Sequence, residues 1–445
     1  MMLDAASKLI RARVARSLVW TLALIPLAAF ALGLRAADFQ DLAAVLNMLG
    51  RLTGVLGLAF LLLSAALSAR VPGFDIPFGG LTRLWHTHHL LGAAALALLM
   101  AHPLLLAFSA QVHGEGLAFA TLFPPISDIA TWSGWLALIL MMVFLAPTFS
   151  FFGKPDYERW KRLHKVAVLA IIVSLIHTAL FSRSMPYWTD LLVWTLFAGL
   201  ALGAVLWRFV FSRRVGRLPY TVTDVRRPAN NVVELTLEPR RRPLKYKAGN
   251  FVYMTPFDHD LDNGHGEEHP YTLSSSPLEA NLRMAIKDLG NASRALQSIK
   301  TGARVTVEGP YGRFFKNPDR VEKPEVWISG GIGVTPFLAR MRHLAALEAG
   351  GDIRFIYCVQ DEARALYLLE LQALAGRIPG CKLVPHFFYR EGPLSQTFLR
   401  ENCGDIDQRE AYICGPQPLN RLVQAHLRAL SVPRRAIHTE EFELL

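Results

Sequence analysis

Residues 81–103 form a long apolar stretch that carries histidines at two depths. His88 and His102 are separated by 14 residues, which in an α-helix is about 21 Å along the axis and nearly four whole turns. Both imidazoles therefore leave the same face of the predicted helix. An ionisable side chain inside a membrane span costs free energy and is by default a candidate for function. The spacing predicts two stacked binding sites, provided that a second helix supplies partners.

Six apolar segments in the first half of the chain are each close to the ~20 residues that a membrane-spanning helix needs. They comprise residues 17–34, 43–68, 87–109, 129–150, 163–182 and 188–211. Residues 1–215 contain 17 Lys and Arg against 9 Asp and Glu, and the basic residues cluster in alternate linkers. Basic linkers stay in the cytoplasm, which predicts a multi-pass protein of the cell membrane whose N-terminus and second half are cytoplasmic. The positive charge is then explained by basic residues that flank the membrane spans, with the lipid bilayer as the partner, and no nucleic-acid partner is expected.

The fifth segment also carries two histidines, His164 and His177, which are 13 residues or about 20 Å apart. The third and fifth segments cross in the same direction, so His88 pairs in depth with His164, and His102 with His177. Facing neutral imidazoles on two helices suit the axial ligation of two b-type haems. The alternative, interfacial or packing histidines, fits four residues matched in depth less well. On an ideal helix His164 and His177 point about 140° apart. The segment must therefore twist, bulge or present a different side of the helix to each haem.

Three further residues of this half need an interpretation. His86 and His89 flank His88, and His89 lies 13 residues before His102, which makes it a rival ligand. We prefer His88 because its 14-residue spacing keeps one helix face. Arg51 lies in the second segment, toward the outer leaflet. Either a haem propionate stabilises its charge there, or its side chain reaches the outer surface.

From Leu218 onward, short alternating strands separated by Pro and Gly predict an antiparallel barrel or sandwich over residues 216–320. Within it, residues 282–294 are predicted to form a strand, a glycine turn and the start of a helix. The backbone amides and Ser293 at that start, with Lys287 nearby, are candidates for holding an anionic phosphate.

Residues 321–445 alternate strands with helices, which predicts a doubly wound α/β nucleotide-binding domain. Residues 326–337 are predicted to form a buried strand, a glycine-rich turn and the start of a helix, and glycines in such a turn let the backbone approach a pyrophosphate. All four cysteines fall in the second half of the chain and form no CxxC pair. Neither a zinc site nor a disulfide framework is therefore predicted.

These motifs, in this order, resemble a known superfamily. Residues 1–215 resemble the ferric reductase transmembrane domain that NADPH oxidases and ferric-chelate reductases share, and the two histidine pairs match its haem ligands. Residues 216–445 resemble the flavin and nicotinamide module of ferredoxin–NADP reductases. The resemblance implies a six-helix transmembrane haem bundle, then an antiparallel β-barrel FAD domain, then a Rossmann-like α/β NAD(P) domain. The implied cofactors are FAD, two b-type haems, and NADPH or NADH.

The resemblance also assigns residues to the nucleotide sites. For FAD they are His269, Pro270, Tyr271, Thr272, Leu273, Ser274, Ile286, Lys287, Gly290, Ser293 and Phe442. For the nicotinamide nucleotide they are Gly331, Gly333, Val334, Thr335, Pro336, Cys414, Gly415 and Pro416. The residues expected nearest the chemistry are Thr272 beside the reactive nitrogen of the flavin, Cys414 at the hydride position, Phe442 covering the flavin, and Arg51 near the outer haem.

The activity that this resemblance implies is electron transfer across the membrane. Cytosolic NAD(P)H reduces FAD, single electrons pass through both haems, and an acceptor is reduced at the outer face. The acceptor stays open between oxygen, giving superoxide, and a ferric or other metal complex. Asp361 stands where NADPH-selective members place basic or hydroxyl groups, so NADH or a relaxed choice is expected. An alternative is a haem-flavin subunit that feeds a partner redox protein, although no obligate partner is indicated.

Overall fold

The computed structural model describes residues 2–440 except 79, 149–156, 182–183 and 262–263. For residues 2–16, 157–158 and 213–215 it describes only the backbone. The chain divides into two compact units, Met1–Arg214 and Val215–Leu445. The first unit is helical, and the second contains two β-sheets.

The described part of the first unit consists of α-helices joined by short turns. They are α1 Met2–Ala31, α2 Leu42–Leu67, α3 Leu81–His113, α4 Leu117–Leu122, α5 Ile129–Leu145, α6 Tyr157–His164, α7 Ala167–Phe181 and α8 Tyr187–Leu206, with a π-helical stretch at Trp207–Gly216.

Membrane-spanning length is reached by five stretches of the described residues. They are Leu42–Leu67, Leu81–His113, Ile129–Thr148, Arg159–Phe181 and Tyr187–Ser212. A further apolar stretch, Ser17–Ala31 of α1, is shorter than the ~20 residues of a full span. The count of six spans made from the sequence therefore stays a prediction.

α2 and α3 form the most extensive helix pair of this unit. Small residues on α2 let the two backbones approach closely. A methyl group at Gly50 would lie 2.7 Å from the Leu106 side chain, and one at Gly57 would lie 2.7 Å from Leu99. Such close contact is how helices associate in a bilayer, where apolar surface alone provides no driving force. α3 is thereby held firmly along the face that carries its histidines.

The segment that carries His164 and His177 is broken between them. α6 ends at His164, residues 165–166 form a turn, and α7 begins at Ala167. The backbone amides of residues 165 and 166 bond to carbonyls three residues earlier, at 3.2 and 2.9 Å. Bonds of this type wind the chain at about 120° per residue instead of about 100°. The extra rotation reduces the mismatch of about 140° between the two histidines.

The second unit begins with a six-stranded antiparallel sheet. Its strands are β1 Arg217–Ala229, β2 Val232–Pro239, β3 Phe251–Phe257, β4 His269–Thr272, β5 Leu282–Lys287 and β6 Arg304–Tyr311, with the short helix α9 Asn291–Ala295 after β5. The strand order is β4-β3-β6-β1-β2-β5. Inward side chains such as Val233, Leu235 and Met284 are fully buried in one core. The antiparallel β domain predicted from the alternating pattern is confirmed.

A five-stranded parallel sheet follows, as the alternation of strands and helices predicts. Its strands are β7 Glu325–Gly330, β8 Ile353–Val359, β9 Cys381–Phe387, β10 Glu410–Cys414 and β11 Ile437–Glu440. The accompanying helices are α10 Thr335–Ala346, α11 Leu368–Arg377, α12 Phe388–Glu391, α13 Gln396–Cys403 and α14 Gln417–Ala429. The order β11-β10-β7-β8-β9 places the switch in chain direction between β7 and β10. Open α/β sheets bind ligands at the carboxyl ends of the strands at such a switch.

Candidate functional site

Two pairs of histidine rings face each other in the helical unit. The ring centroids of His88 and His164 are 6.3 Å apart, and those of His102 and His177 are also 6.3 Å apart. Imidazole nitrogens bind transition metals at about 2 Å, so one metal ion between two facing imidazoles holds the ring centres roughly 6 Å apart. Both pairs therefore fit a single iron between their rings. We call His88–His164 the inner pair and His102–His177 the outer pair, after the charge pattern of the linkers.

The outer pair is oriented by backbone carbonyls. His102 Nδ1 donates to the carbonyl of Gly50 at 2.7 Å, and His177 Nδ1 donates to the carbonyl of Ala130 at 2.8 Å. A proton on Nδ1 leaves Nε2 as the free donor atom for a metal. Such a hydrogen bond also fixes the ring and raises its basicity as a ligand.

Two glycines make room for the rings of the outer pair. A methyl group at Gly54 would lie 2.8 Å from His102 Nδ1, and one at Gly134 would lie 2.7 Å from His177 Cε1. Real side-chain carbons do not approach that closely, so glycine is required for these ring positions. Sequence reasoning missed both residues, because an isolated glycine in an apolar helix has many explanations.

The inner pair is supported differently. His88 Nδ1 lies 2.8 Å from the carbonyl oxygen and 2.9 Å from the hydroxyl oxygen of Ser64. The His164 ring instead packs between aromatic rings, with centroids at 5.3 Å from Phe144 and 5.0 Å from Trp160. Its Nδ1 is buried near the Phe144 carbonyl, without ordinary hydrogen-bond geometry to any described residue. The inner imidazoles are thus held by one serine and by ring packing.

The rival ligand His89 occupies a different position. Its side chain is exposed, whereas that of His88 is partly buried and faces His164. His86 is also exposed. The structure therefore brings His88, the residue preferred on helical spacing, into the inner pair.

A cavity of about 400 Å³ adjoins the outer pair, and both rings, Gly54 and Gly134 line it. Arg51 lines the same cavity. Its guanidinium forms an ion pair with Asp38, and its Nε donates to Asn47 Oδ1 at 3.0 Å. The sequence suggested a propionate or the outer surface as the partner of Arg51, and Asp38 was missed because it lies 13 residues away, in the short 3₁₀ helix Ala36–Phe39.

The expected flavin motif forms β4 and the residues after it. Thr272 and Ser274 are buried, and Ser274 Oγ donates to Glu234 at 3.0 Å. Burial raises the pKa of the Tyr271 phenol, which keeps it neutral. Leu273 and Ile286 belong to the barrel core, so only their backbone is available to a cofactor.

The expected phosphate-binding turn follows β5. Lys287 ends that strand half-buried, as a cation suited to an anionic group. Ser293 Oγ accepts hydrogen bonds from the amides of Leu289 and Gly290, each at 2.9 Å. The Ser293 hydroxyl therefore stabilises the turn by accepting two backbone hydrogen bonds, a role that the sequence did not suggest.

The two expected nicotinamide motifs pack against each other after β7 and β10. A methyl group at Gly333 would lie 2.3 Å from the backbone oxygen of Cys414, and one at Gly330 would lie 2.4 Å from Leu419. Gly331 has φ +55°, which favours glycine. Val334, Thr335 and Pro336 are buried where α10 begins. The glycines are therefore needed for loop packing as well as for approach by a nucleotide.

Cys414 has a buried acidic neighbour that sequence reasoning missed. Cys414 pairs with Glu440 across the β10–β11 ladder. Burial raises the pKa of Glu440 to about 8 and that of the Cys414 thiol above its usual range. Both groups are therefore mainly protonated at neutral pH. Phe442, expected to cover the flavin, lies outside the described residues.

Helix α10 ties the two nucleotide motifs together. It starts at the glycine-rich turn, and two turns later Arg342 donates to the backbone oxygen of Ser274 at 2.8 Å and to Glu370 at 2.6 Å. The adjacent His343 lies 3.2 Å from Ser276 Oγ. The end of the flavin motif is thus fixed to the helix that carries the nicotinamide motif.

Three family models match consecutive parts of the chain. Residues 53–175 match the ferric reductase like transmembrane component, residues 217–315 match an FAD-binding domain, and residues 327–425 match an oxidoreductase NAD-binding domain. With the apolar helices, the first match identifies the helical unit as part of a membrane protein. The other two identify the second unit as an NAD-linked flavin module.

Curated relatives share parts of this chain. The glycine betaine monooxygenase reductase subunit of Chromohalobacter salexigens is 28% identical over 44% of this chain and 56% of its own length. The ferredoxin reductase component of 3-ketosteroid-9-alpha-monooxygenase from Mycolicibacterium smegmatis is 30% identical over 45% and 57%. The flavohemoprotein of Xylella fastidiosa is 25% identical over 54% and 60%. This chain spans little more than half the length of these relatives.

Solved structures show weaker likenesses. The flavohem-like FAD/NAD binding domain of nitric oxide dioxygenase from Vibrio cholerae matches 50% of this chain and 97% of that chain, with 23% identity and a TM-score of 0.44. Flavohemoglobin from Malassezia yamatoensis matches 92% of this chain and 99% of that chain, with 18% identity and a TM-score of 0.46. Neither likeness adds to the fold described above.

Proposed function

Because the chain has the architecture of ferric reductases and NADPH oxidases, we propose that it carries electrons from cytosolic NAD(P)H through FAD and two bis-histidine b-type haems to an acceptor at the outer face of the cell membrane. The domain matches support an NAD(P)H-dependent flavin oxidoreductase with a membrane-embedded component. The observation that supports the haems is that two histidine pairs at different depths have the same ring separation of 6.3 Å.

In this proposal the histidines and their backbone partners prepare the haem sites. The carbonyls of Gly50 and Ser64 on α2, and of Ala130 on α5, hold three Nδ1 protons. The matching Nε2 atoms are then free to ligate iron. Bound haem supplies one-electron chemistry at each depth. Because protein contacts set the rings, little reorganisation is needed when iron changes its charge.

The flavin module has a separate set of tasks. We assign the motif residues 269–274 to FAD and the loops after β7 and β10 to the nicotinamide nucleotide, at the switch point of the parallel sheet. Thr272 is assigned to the reactive nitrogen of the flavin, and Cys414 to the position of the transferred hydride. Helix α10 holds the flavin and nicotinamide motifs at a fixed separation, because its Arg342 donates a hydrogen bond to the backbone oxygen of Ser274. The covering role of Phe442 stays part of the proposal.

NADH is the proposed reductant. Asp361 follows β8, where its carboxylate accepts a hydrogen bond from the Arg364 amide at 3.1 Å and pairs with the Arg364 guanidinium. A fixed carboxylate at this position repels the 2′-phosphate that distinguishes NADPH, and it occupies the nearby arginine that could bind that phosphate.

The test is anaerobic mixing of the purified full chain with NADH and, separately, NADPH, followed by absorption at flavin and haem wavelengths. We expect NADH to reduce the flavin and then both haems, and added oxygen or ferric chelate to reoxidise them. Haems that stay oxidised while the flavin is reduced would contradict the proposal. Haem reduction without reoxidation by either acceptor would favour the alternative, a subunit that feeds a partner redox protein, as the relatives named as reductase components suggest.

A further inference from the structure

The loop between β2 and β3 carries a concentration of positive charge. Residues 240–247 contain five basic residues and no acidic residue, namely Arg240, Arg241, Arg242, Lys245 and Lys247. Residues 216–445 as a whole contain 30 basic and 27 acidic residues, so this loop differs from its surroundings. We call residues 240–247 the basic loop.

The five cations of the basic loop are all exposed. None of them forms an ion pair with another residue that the structure describes. Like charges that are crowded together repel one another, and this repulsion destabilises the folded chain. An anionic partner from outside the chain would therefore stabilise the loop.

The backbone of the basic loop is anchored to the β domain. The Leu244 amide donates to the hydroxyl of buried Tyr220 at 2.7 Å, and the Tyr246 hydroxyl lies 2.7 Å from Ser275 Oγ. Leu244 is buried and Tyr246 is partly buried, whereas the lysines that alternate with them are exposed. An anchored loop loses less conformational entropy on binding than a mobile one. The cations are thus presented to solvent from a fixed backbone.

The basic loop begins beside the residues that follow the last membrane-length stretch. The Arg240 amide donates to the carbonyl of Pro219 at 3.0 Å. Pro219 lies seven residues after Ser212, where that stretch ends. Seven residues reach at most about 25 Å, so the chain connection keeps the start of the loop near one membrane surface. The charge pattern of the linkers assigns this surface to the cytoplasm.

We propose that the basic loop binds the anionic headgroups of lipids in the cytoplasmic leaflet. That leaflet has a negative surface potential, and each cation close to it strengthens binding by about fivefold. Clusters of basic residues directly beside a membrane span are typical of such contacts. The binding needs neither haem nor hydride transfer, and from the function proposed above it takes only the cytoplasmic placement of the second unit.

Lysine acetylation of the full chain in lipid nanodiscs tests this contact. Discs of phosphatidylcholine are compared with discs that also contain phosphatidylglycerol, and mass spectrometry gives the rate at which an uncharged reagent acetylates each lysine. We expect Lys245 and Lys247 to react at least about fivefold more slowly in the anionic discs at low salt. At high salt the two discs should give equal rates, because salt screens the attraction. Lys382, which is exposed in β9, should react equally in both discs.

Two sets of substitutions with the same change of charge make the test specific. The test set removes three cations of the basic loop by Arg240→Gln, Arg241→Gln and Arg242→Gln. The control set removes three exposed cations elsewhere in the second unit by Arg400→Gln, Arg434→Gln and Arg435→Gln. The test set should abolish the protection of the two loop lysines, and the control set should leave it intact. An unchanged rate at Lys382 shows that each variant is folded.

Three results would overturn the inference. They are equal rates at Lys245 and Lys247 in the two discs at low salt, protection that survives the test set, and equal protection by inorganic phosphate in phosphatidylcholine discs. The last result would identify a site for soluble anions. NADH-driven haem reduction in the same discs tests the proposed function separately. Haem reduction without lysine protection leaves the electron pathway standing, and lysine protection without haem reduction leaves the lipid contact standing.

Discussion

The inner and outer histidine pairs reach the same ring separation by different means. At the outer pair, two backbone carbonyls orient the two rings, and two glycines leave space for the rings because they have no side chain. At the inner pair, Ser64 orients one ring while Phe144 and Trp160 hold the other. Backbone carbonyls hold rings at both sites, but the outer site also depends on the absence of side-chain atoms, whereas the inner site also depends on their presence.

This difference teaches that depth and orientation are specified separately. The spacing of histidines along a helix sets the two depths, and any helix with that spacing would do so. Orientation comes from neighbouring helices, which differ at the two levels. The two sites should therefore respond to different substitutions, although their ligands are chemically the same.

The largest expected effect comes from removing one inner ligand. His88→Leu should abolish the inner haem and stop electron flow from NADH to the outer acceptor, because iron loses one of two axial ligands. His89→Leu should keep both haems, since His89 is exposed beside the pair. Haem content per chain and NADH-driven acceptor reduction measure both variants. Loss of haem in His89→Leu with retention in His88→Leu would reverse the assignment.

The next effect separates the two sites through their glycines. Gly54→Ala and Gly134→Ala should displace His102 and His177, because the new methyl groups would lie 2.8 and 2.7 Å from the rings. Overpacking of this kind costs about 1–3 kcal/mol. Haem content should fall from about two to about one per chain, with the inner haem retained.

Gly203→Ala on α8 is the matched control for these variants. A methyl group there has no described atom within 4 Å, so both haems should remain. If Gly54→Ala and Gly134→Ala also keep two haems with unchanged spectra, the glycines do not determine the ring positions of the outer pair.

The smallest effect concerns the inner serine. Ser64→Ala removes the hydroxyl near His88 Nδ1 and keeps the carbonyl. A hydrogen bond is worth about 1 kcal/mol, and a tenfold change in a one-electron equilibrium is about 59 mV. The inner potential should therefore rise by about 40 mV, because the imidazole becomes less basic.

A spectroscopic redox titration that resolves the two haems measures this shift. Ser133→Ala is the control at the outer pair, where the hydroxyl lies 3.5 Å from His177 Nδ1, and it should change the outer potential by much less. Equal shifts in the two variants would show that the hydroxyl of Ser64 has no special role.

Much of the fold follows from residue patterns that act along a single element. The apolar runs indicate the membrane unit, alternating residues indicate the antiparallel sheet, and strands that alternate with helices indicate the parallel sheet, because burial imposes these patterns locally. The pairing of the four histidines by depth also needs only spacing and direction of crossing.

The rest depends on contacts between elements that no local pattern reveals. Gly54 and Gly134 matter only because a ring from another helix lies against them. Asp38 and Arg51 meet across a turn, and Glu440 becomes unusual only through burial beside Cys414. The turn after His164 reduces an angular mismatch that the sequence predicted but could not locate.

The most direct test of the account is the haem content and reduced absorption spectrum of the purified full chain. The equal separation of the two histidine pairs predicts two low-spin b-type haems per chain. The match of residues 217–315 to an FAD-binding domain predicts one FAD. A spectrum of flavin alone, after expression with an adequate haem supply, would contradict the account.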